Sequence, residues 1–340
     1  MRWERTVTVI GCHVGGEEND VIVGGVLPPP GATMFERKRY LETHGDELRR
    51  WLLFEPRGKP TLCVNLVTPA TRPDCDVGLI IMEATDYPPM SGSNTICTVT
   101  VLLETGMLPM REPVTRLTLD TPAGPVPVEA HCRDGKVERV QFTNVPCFVS
   151  QLDAVLEVKG LGTIRADVAY GGAFFAIVDA PALGLAVEPA AARELVDVGR
   201  RITAAAAEQL DVRHPENPEI RDVTFTELAM PLAGPGAVSR NAVVVAPGRL
   251  DRSPCGTGTC ARLAVLHRRG RLGVGQGFVH ESIVGSRFDA GIVSETTVGG
   301  RPAIVPTIAG QAWITAIHQH GLDPSDPFRA GFTLPDLWLA

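Results

Sequence analysis

Apolar residues along the chain fall into short runs separated by Gly-rich turns, and the order of these runs repeats. TVTVIG, then His13-Val14-Gly15-Gly16, then VIVGG predicts strand, turn, strand; IRADVAY, Gly171-Gly172 and FFAIVDA predict the same. A helical stretch follows each, over roughly 34–54 and roughly 189–210, the second with Pro at its first turn and an Ala-rich interior. Matching strands come next, TLCVNLV and VGLIIME in the first half, VTFTEL and NAVVVAP in the second. The ordered set argues for a duplicated unit.

Each half then reaches a short signature of the form (Ser/Cys)-Gly-(Ser/Thr)-(Asn/Gly)-Thr. In the first it is Ser91-Gly92-Ser93-Asn94-Thr95, and in the second Cys255-Gly256-Thr257-Gly258-Thr259. A helical run follows both and stops at a glycine fifteen residues on, Gly106 or Gly270, the expected C′ residue. β-rich segments with DG and GG hairpin steps close each half. The expected fold class is α+β, two similar halves over 1–155 and 156–340, each a mostly antiparallel sheet wrapped on a helix. The chain ends may cross between halves, and the active site is expected in the cleft.

With 340 residues, 44% hydrophobic and 21% charged, the chain can bury a sizeable core. A net charge of −7 without an extended basic run argues against nucleic-acid or anionic-membrane partners. No segment approaches a membrane span, and the first residues, MRWERTVTVIGC, have no signal-like apolar stretch. Eight cysteines in such a chain are expected to be reduced, which points to the cytoplasm. None of the four lysines sits in a motif suited to Schiff-base chemistry, so a pyridoxal enzyme is not expected.

A helix N-terminus offers unpaired N–H groups and partial positive charge, a ready site for an anion. Two of them would hold one carboxylate, with the small residues Gly92, Ser93, Gly256 and Thr257 letting it approach the backbone. Ser91 and Cys255 would then flank the carbon that bears it. This suits proton removal from the α-carbon of an amino acid, whose carbanion spreads into the carboxylate and is stabilised by fixed N–H donors. A helix N-terminus is expected to lower the Cys255 thiol into a useful range. Asp251, four residues earlier, could accept hydrogen bonds from the substrate nitrogen.

MSGSNTIC and DRSPCGTGTCA resemble the two signatures of the proline racemase superfamily, and HVGGE and GGAFFAIVDA resemble its other landmarks. The resemblance runs over nearly the whole chain. It implies a diaminopimelate-epimerase-like fold, no cofactor, no metal, a small imino acid as substrate and commonly a homodimer. By motif it places acid/base roles on Ser91 and Cys255, carboxylate binding on the amides of Gly92, Ser93, Gly256 and Thr257, and the ring nitrogen on Asp251. Proline racemases carry Cys at both acid/base positions, whereas this chain has Ser91 at the first. Many members have His where this chain has Ser93, and an Arg common near HTGGE is missing from HVGGEENDV.

The Ser/Cys pairing resembles the branch that epimerises trans-4-hydroxy-L-proline at C2 or dehydrates trans-3-hydroxy-L-proline. Proline racemisation and non-catalytic imino-acid binding are the alternatives. The competing readings of single residues are a buried structural thiol for Cys255, a plain N-cap for Ser91 and an ion pair with Arg252 for Asp251. The other seven cysteines lack ligand-like spacing and read as packing residues. His318 and His320 form an HxH on an apparent turn, with no further zinc ligands evident.

Overall fold

The computed structural model describes residues 2–234 and 237–338. The chain divides into two compact units, Met1–Phe142 with Gly310–Ala340, and Thr143–Ala309. The first unit contains β1 (Arg5–Val14), β2 (Glu17–Gly24), α1 (Met34–His44), α2 (Glu47–Leu53), β3 (Leu62–Thr68), β4 (Val77–Met82), α3 (Gly92–Glu104), β5 (Val114–Thr121), β6 (Gly124–Arg133) and β7 (Lys136–Thr143). The second contains β8 (Cys147–Val158), β9 (Gly162–Tyr170), β10 (Phe174–Asp179), α4 (Ala192–Gln209), β11 (Phe225–Ala229), β12 (Val238–Val245) and β13 (Arg249–Leu250). It continues through α5 (Gly256–Arg268), β14 (Gly277–Glu281), β15 (Arg287–Val298) and β16 (Arg301–Gly310). A last strand, β17 (Ala312–Leu322), returns to the first unit.

The internal repeat is visible in strand pairing. β1–β2, β2–β3, β3–β4, β4–β5 and β5–β6 are antiparallel, parallel, antiparallel, parallel and antiparallel. The series β9–β10, β10–β11, β11–β12, β12–β14 and β14–β15 repeats that alternation. Parallel neighbours need a crossover, and helices supply all four: α1 with α2, α3, α4 and α5. In the second unit β15–β16 and a short β16–β8 pairing bring the strands back to their start.

Each unit holds one crossover helix inside its sheet, α3 or α5, while the other crossover, α1 with α2 or α4, lies outside. α5 packs against β8, β9, β10 and β15, and α3 against β1, β2, β3 and β17. Every residue from Gly92 to Leu103 is buried, as expected of a helix with strands around it. α4 instead has one apolar face, with Leu195, Val198, Ile202, Ala205 and Ala206 turned to the sheet. The strands between two helices are apolar on both faces. On β12, Ala242 and Val244 face the α4 core, while Val243 and Val245 pack with Ala261 and Val265 of α5. This double burial makes FFAIVD and NAVVV continuous hydrophobic runs rather than alternating ones.

Local chemistry sets the ends. Gly106 (φ 73°) and Gly270 (φ 65°) follow α3 and α5 in the left-handed region. The hairpin steps Asp134-Gly135 and Gly299-Gly300 have positive φ at both residues, as two-residue turns require. The helix expected over 34–54 is two helices. It breaks at Gly45, whose N–H turns back to Leu41 O and Tyr40 O, and α2 restarts beyond Asp46, which binds Arg49.

The chain divides at Phe142 and not near 155, because 155 lies within β8, which pairs with β9 along most of its length. The last residues belong with the first unit. β17 pairs with β1 from Arg5↔Leu322 to Val14↔Ala312, the place that β8 takes on β9. Arg57 then binds Asp326 at 2.8 Å, and the Trp338 indole donates to Glu55 at 3.1 Å. Among the described residues no helix is long and apolar enough to cross a membrane.

Candidate active site

The two signatures begin the two enclosed helices in the same way. Thr95 N–H donates to Ser91 O at 3.0 Å, and Thr259 N–H donates to Cys255 O at 2.8 Å. Those are the first intrahelical bonds, so the N–H groups of Gly92, Ser93, Gly256 and Thr257 lie ahead of them, in the turn that lacks intrahelical acceptors. Each unit therefore has a helix end with positive partial charge.

Cys255 is held in an uncommon conformation for a residue with a side chain, φ 64° and ψ 110°. Its Sγ accepts from the Gly258 N–H at 3.4 Å and lies 3.6 Å from Thr257 Oγ1. The Gly171-Gly172 step explains itself here. A Cβ on Gly171 would lie 2.1 Å from Thr257 O and 2.6 Å from Ala261 N, and one on Gly172 would lie 2.9 Å from Thr257 Cγ2. Glycine at both positions lets the β9–β10 turn sit directly on the first turn of α5.

The thiol departs from expectation. Burial pushes Cys255 well above the ordinary cysteine range, and the negative charge of Asp251 adds to this. The Gly258 N–H and Thr257 hydroxyl act the other way without prevailing. A buried sulfur loses more from desolvation than the helix end returns, so Cys255 rests as a neutral thiol.

Asp251 Oδ1 accepts from Ser253 N–H and Ser253 Oγ, each at 2.8 Å, and Ser253 Oγ in turn accepts from Cys255 N–H at 3.1 Å. The aspartate thus staples the loop into α5 while placing negative charge near the thiol. Arg252 Nη1 donates to Leu250 O at 2.6 Å. Ser91 has ordinary extended geometry, φ −148° and ψ 135°, and its side chain makes no capping bond. Its Oγ instead accepts from Asn94 Nδ2 at 2.8 Å and lies 3.3 Å from Ser93 Oγ. Within its own unit the serine therefore has amide and hydroxyl neighbours.

The remaining candidates separate from these. Seven of the eight cysteines are buried, Cys75 is half-buried, and none is in a disulfide. His318 and His320 lie on strand β17, not on a turn, because β17 continues its pairing with β1 through both. Among the described residues no three His, Cys, Asp or Glu side chains are grouped to hold a metal. Sequence reasoning passed over Glu227 on β11 and His280 on β14, both fully buried behind the first turn of α5. A charged residue inside the short buried strand FTELA was the available signal.

Residues 9–333 match the family model for proline racemase. The chain belongs to the proline racemase family. Among solved structures, a hydroxyproline epimerase from Agrobacterium vitis with bound trans-4-hydroxy-L-proline is 44% identical, with TM-score 0.93 over 99% of this chain and 98% of that one. A probable proline racemase from Agrobacterium radiobacter K84 with bound carbonate is 43% identical, with TM-score 0.92 over 98% of each. A phenazine biosynthesis protein of the PhzF family from Bacillus anthracis shares the fold at 11% identity, with TM-score 0.59 over 93% of this chain and 99% of that one. The fold is the diaminopimelate-epimerase-like one that the proline racemase resemblance implied. The proline racemase match takes in both signature helices and β17.

Proposed function

We propose that this protein is a cofactor-independent hydroxyproline 2-epimerase that converts trans-4-hydroxy-L-proline to cis-4-hydroxy-D-proline. The observation that carries this reading is the 44% identity, over nearly the whole chain, to a hydroxyproline epimerase holding trans-4-hydroxy-L-proline. In this reading the first-turn amides of Gly92, Ser93, Gly256 and Thr257 bind the substrate carboxylate, and the charge of Asp251 meets the ring nitrogen. Cys255 and Ser91 take opposite faces of the α-carbon. Removal of the α-proton leaves an electron pair that moves into the C–carboxylate unit, where the N–H donors stabilise the developing charge. A proton delivered from the opposite face completes the inversion. Cys255, resting as a thiol, holds the proton that is returned in one direction and acts as thiolate in the other.

Dehydration of trans-3-hydroxy-L-proline is the second reading, and the surroundings of Ser91 favour it. Asn94 Nδ2 donates to the Ser91 Oγ, whose other hydrogen-bond neighbour is Ser93 Oγ, and among the described residues of its own unit no general base is hydrogen-bonded to it. In trans-3-hydroxy-L-proline the α-hydrogen and the 3-hydroxyl share a ring face. Cys255 alone could then take the α-proton and pass it to the departing hydroxyl. The C–H electron pair becomes the C2–C3 double bond, water leaves, and the enamine tautomerises to pyrroline-2-carboxylate.

Proton NMR in D₂O tests the readings separately on trans-4-hydroxy-L-proline, trans-3-hydroxy-L-proline and L-proline. Growth of cis-4-hydroxy-D-proline with loss of the α-signal supports the epimerase, and a cyclic imine from the 3-hydroxy compound supports the dehydratase. Exchange on L-proline alone would instead indicate a racemase, and three unchanged spectra with measurable binding would indicate a binding protein. Ser91→Ala is expected to lower epimerisation about 10²-fold or more, the lower end of a general acid/base contribution. Dehydration should fall far less if Cys255 serves the hydroxyl face, so the ratio of the two rates in this variant reads out the division of labour.

A further inference from the structure

Behind Cys255 lies a group of buried polar side chains that the proposed reaction does not use. Glu227, His280 and Thr259 are fully buried. His280 Nε2 lies 3.6 Å from Glu227 Oε1, His280 Nδ1 lies 2.9 Å from Thr259 Oγ1, and Thr259 Oγ1 lies 2.7 Å from Cys255 O. The Glu227 carboxyl also sits against the catalytic turn itself. A Cβ on Gly258 would be 3.1 Å from Glu227 Oε2 and 3.3 Å from Cys255 Sγ, so acid and thiol flank the same point.

We propose that Glu227 and His280 are positioning residues for Cys255. His280 holds its backbone through Thr259, and the charge on Glu227 sets the His280 tautomer and how readily the Cys255 thiol ionises. The proposal rests on Cys255 being the acid/base group of the proposed reaction.

Donor and acceptor rules give the network a direction. The Thr259 hydroxyl donates to Cys255 O and therefore accepts from His280 Nδ1–H. This tautomer leaves Nε2 as an acceptor facing Glu227 Oε1 at 3.6 Å, beyond hydrogen-bond length, where a neutral carboxyl is preferred to a carboxylate. The hydrogen-bonded run goes from imidazole to hydroxyl to the Cys255 carbonyl, and Glu227 stands beside its head at 3.6 Å. An ionised Glu227 favours the other tautomer, with Nε2–H towards the carboxylate. Thr259 must then donate to Nδ1, and its bond to Cys255 O is lost.

The environment supports the neutral form at neutral pH. Burial pushes Glu227 up to about 8, with Arg262 of α5 and Asn241 of β12 working the other way. Burial pushes His280 down to about 3, and the Arg262 charge adds to that. An anionic Glu227 opposes thiolate formation at Cys255, as Asp251 does from the loop before α5. As pH rises past Glu227, the loss of its proton disturbs the turn and raises the thiol further.

The test is the pH dependence of Cys255 alkylation by iodoacetamide in the purified full chain. Fragment ions assign the site, because Cys255 and Cys260 share the tryptic peptide 253–262. Glu227→Gln removes the charge at nearly the same shape and leaves an amide facing His280 Nε2. It should shift the alkylation profile downward by about one pH unit, a roughly tenfold rise in thiolate at fixed pH, and abolish the fall in kcat/KM that deprotonation of Glu227 is expected to cause at alkaline pH. A profile superimposable on the wild type would overturn the proposal. If Glu227→Gln does not fold, Thr259→Val against Thr259→Ser decides the question. The hydroxyl-retaining Ser variant should keep the wild-type profile and the Val variant should not; identical profiles would likewise overturn it. Alkylation needs no turnover, so the two readings fail separately. A shifted profile in a protein without α-proton exchange removes the epimerase and leaves the network. Exchange with an unshifted profile does the reverse.

Discussion

Cys255→Ser is expected to lower turnover of every substrate the wild type accepts by about 10²–10⁴-fold, the range of a single general acid/base group. A thiol can reach its anionic form within a working pH range, and a serine hydroxyl at the same place cannot. The loss should come without unfolding. A serine oxygen can accept the Gly258 N–H at least as well as the sulfur that does so now, and Ser is a preferred N-cap. The variant should therefore keep a wild-type Tm while α-deuterium wash-in falls to background. Full turnover would remove Cys255 from the chemistry. Loss of both activity and Tm would show that the substitution acted through the fold.

Gly171→Ala is the second large effect, and it acts through packing. The new methyl would lie 2.1 Å from Thr257 O and 2.6 Å from Ala261 N. Both are main-chain atoms of α5, so no side chain can swing aside, and the β9–β10 turn or the helix must move. Overpacking of this kind costs about 3 kcal/mol, read as a fall in Tm of several degrees. The same displacement shifts the first-turn amides proposed to bind the carboxylate, so kcat/KM should fall more than stability alone explains. Gly277→Ala is the control, since nothing lies within 4 Å of its added carbon. It should leave both quantities near wild type. If the two alanine variants unfold at the same temperature, the turn does not bear on α5.

Much of this architecture was legible in the chain. The apolar runs at β10 and β12 were continuous because those strands are buried on both faces, and the two signatures marked helix starts because both end fifteen residues later at a left-handed glycine. Gly45 inside the predicted 34–54 helix was readable as a break, but a helical pattern on both sides masked it. The division of the chain was less accessible. β8 looks no different from its neighbours in sequence, and only its pairing with β9 places 155 inside a hairpin.

The candidate site divides in the same way. Ser91, Cys255 and the small residues after them were found from sequence because helix N-termini need particular residue types at fixed spacing. That requirement is local, as are the strand alternation and the turn glycines, so neighbouring residues along the chain carry it. The state of the Cys255 thiol is not local. The helix end alone argued for a lowered thiol, and burial, added to by Asp251, overrides it. Likewise Glu227 and His280 stand 28 and 25 residues from Cys255, on opposite sides of it in the chain. They meet behind it only because β11 and β14 both pair with β12. The sequence by itself therefore determined the repeat, the helix starts and the residue types at them. Tertiary structure decided burial, proton affinity and which distant side chains share a site, because desolvation and through-space charge depend on packing and not on chain order.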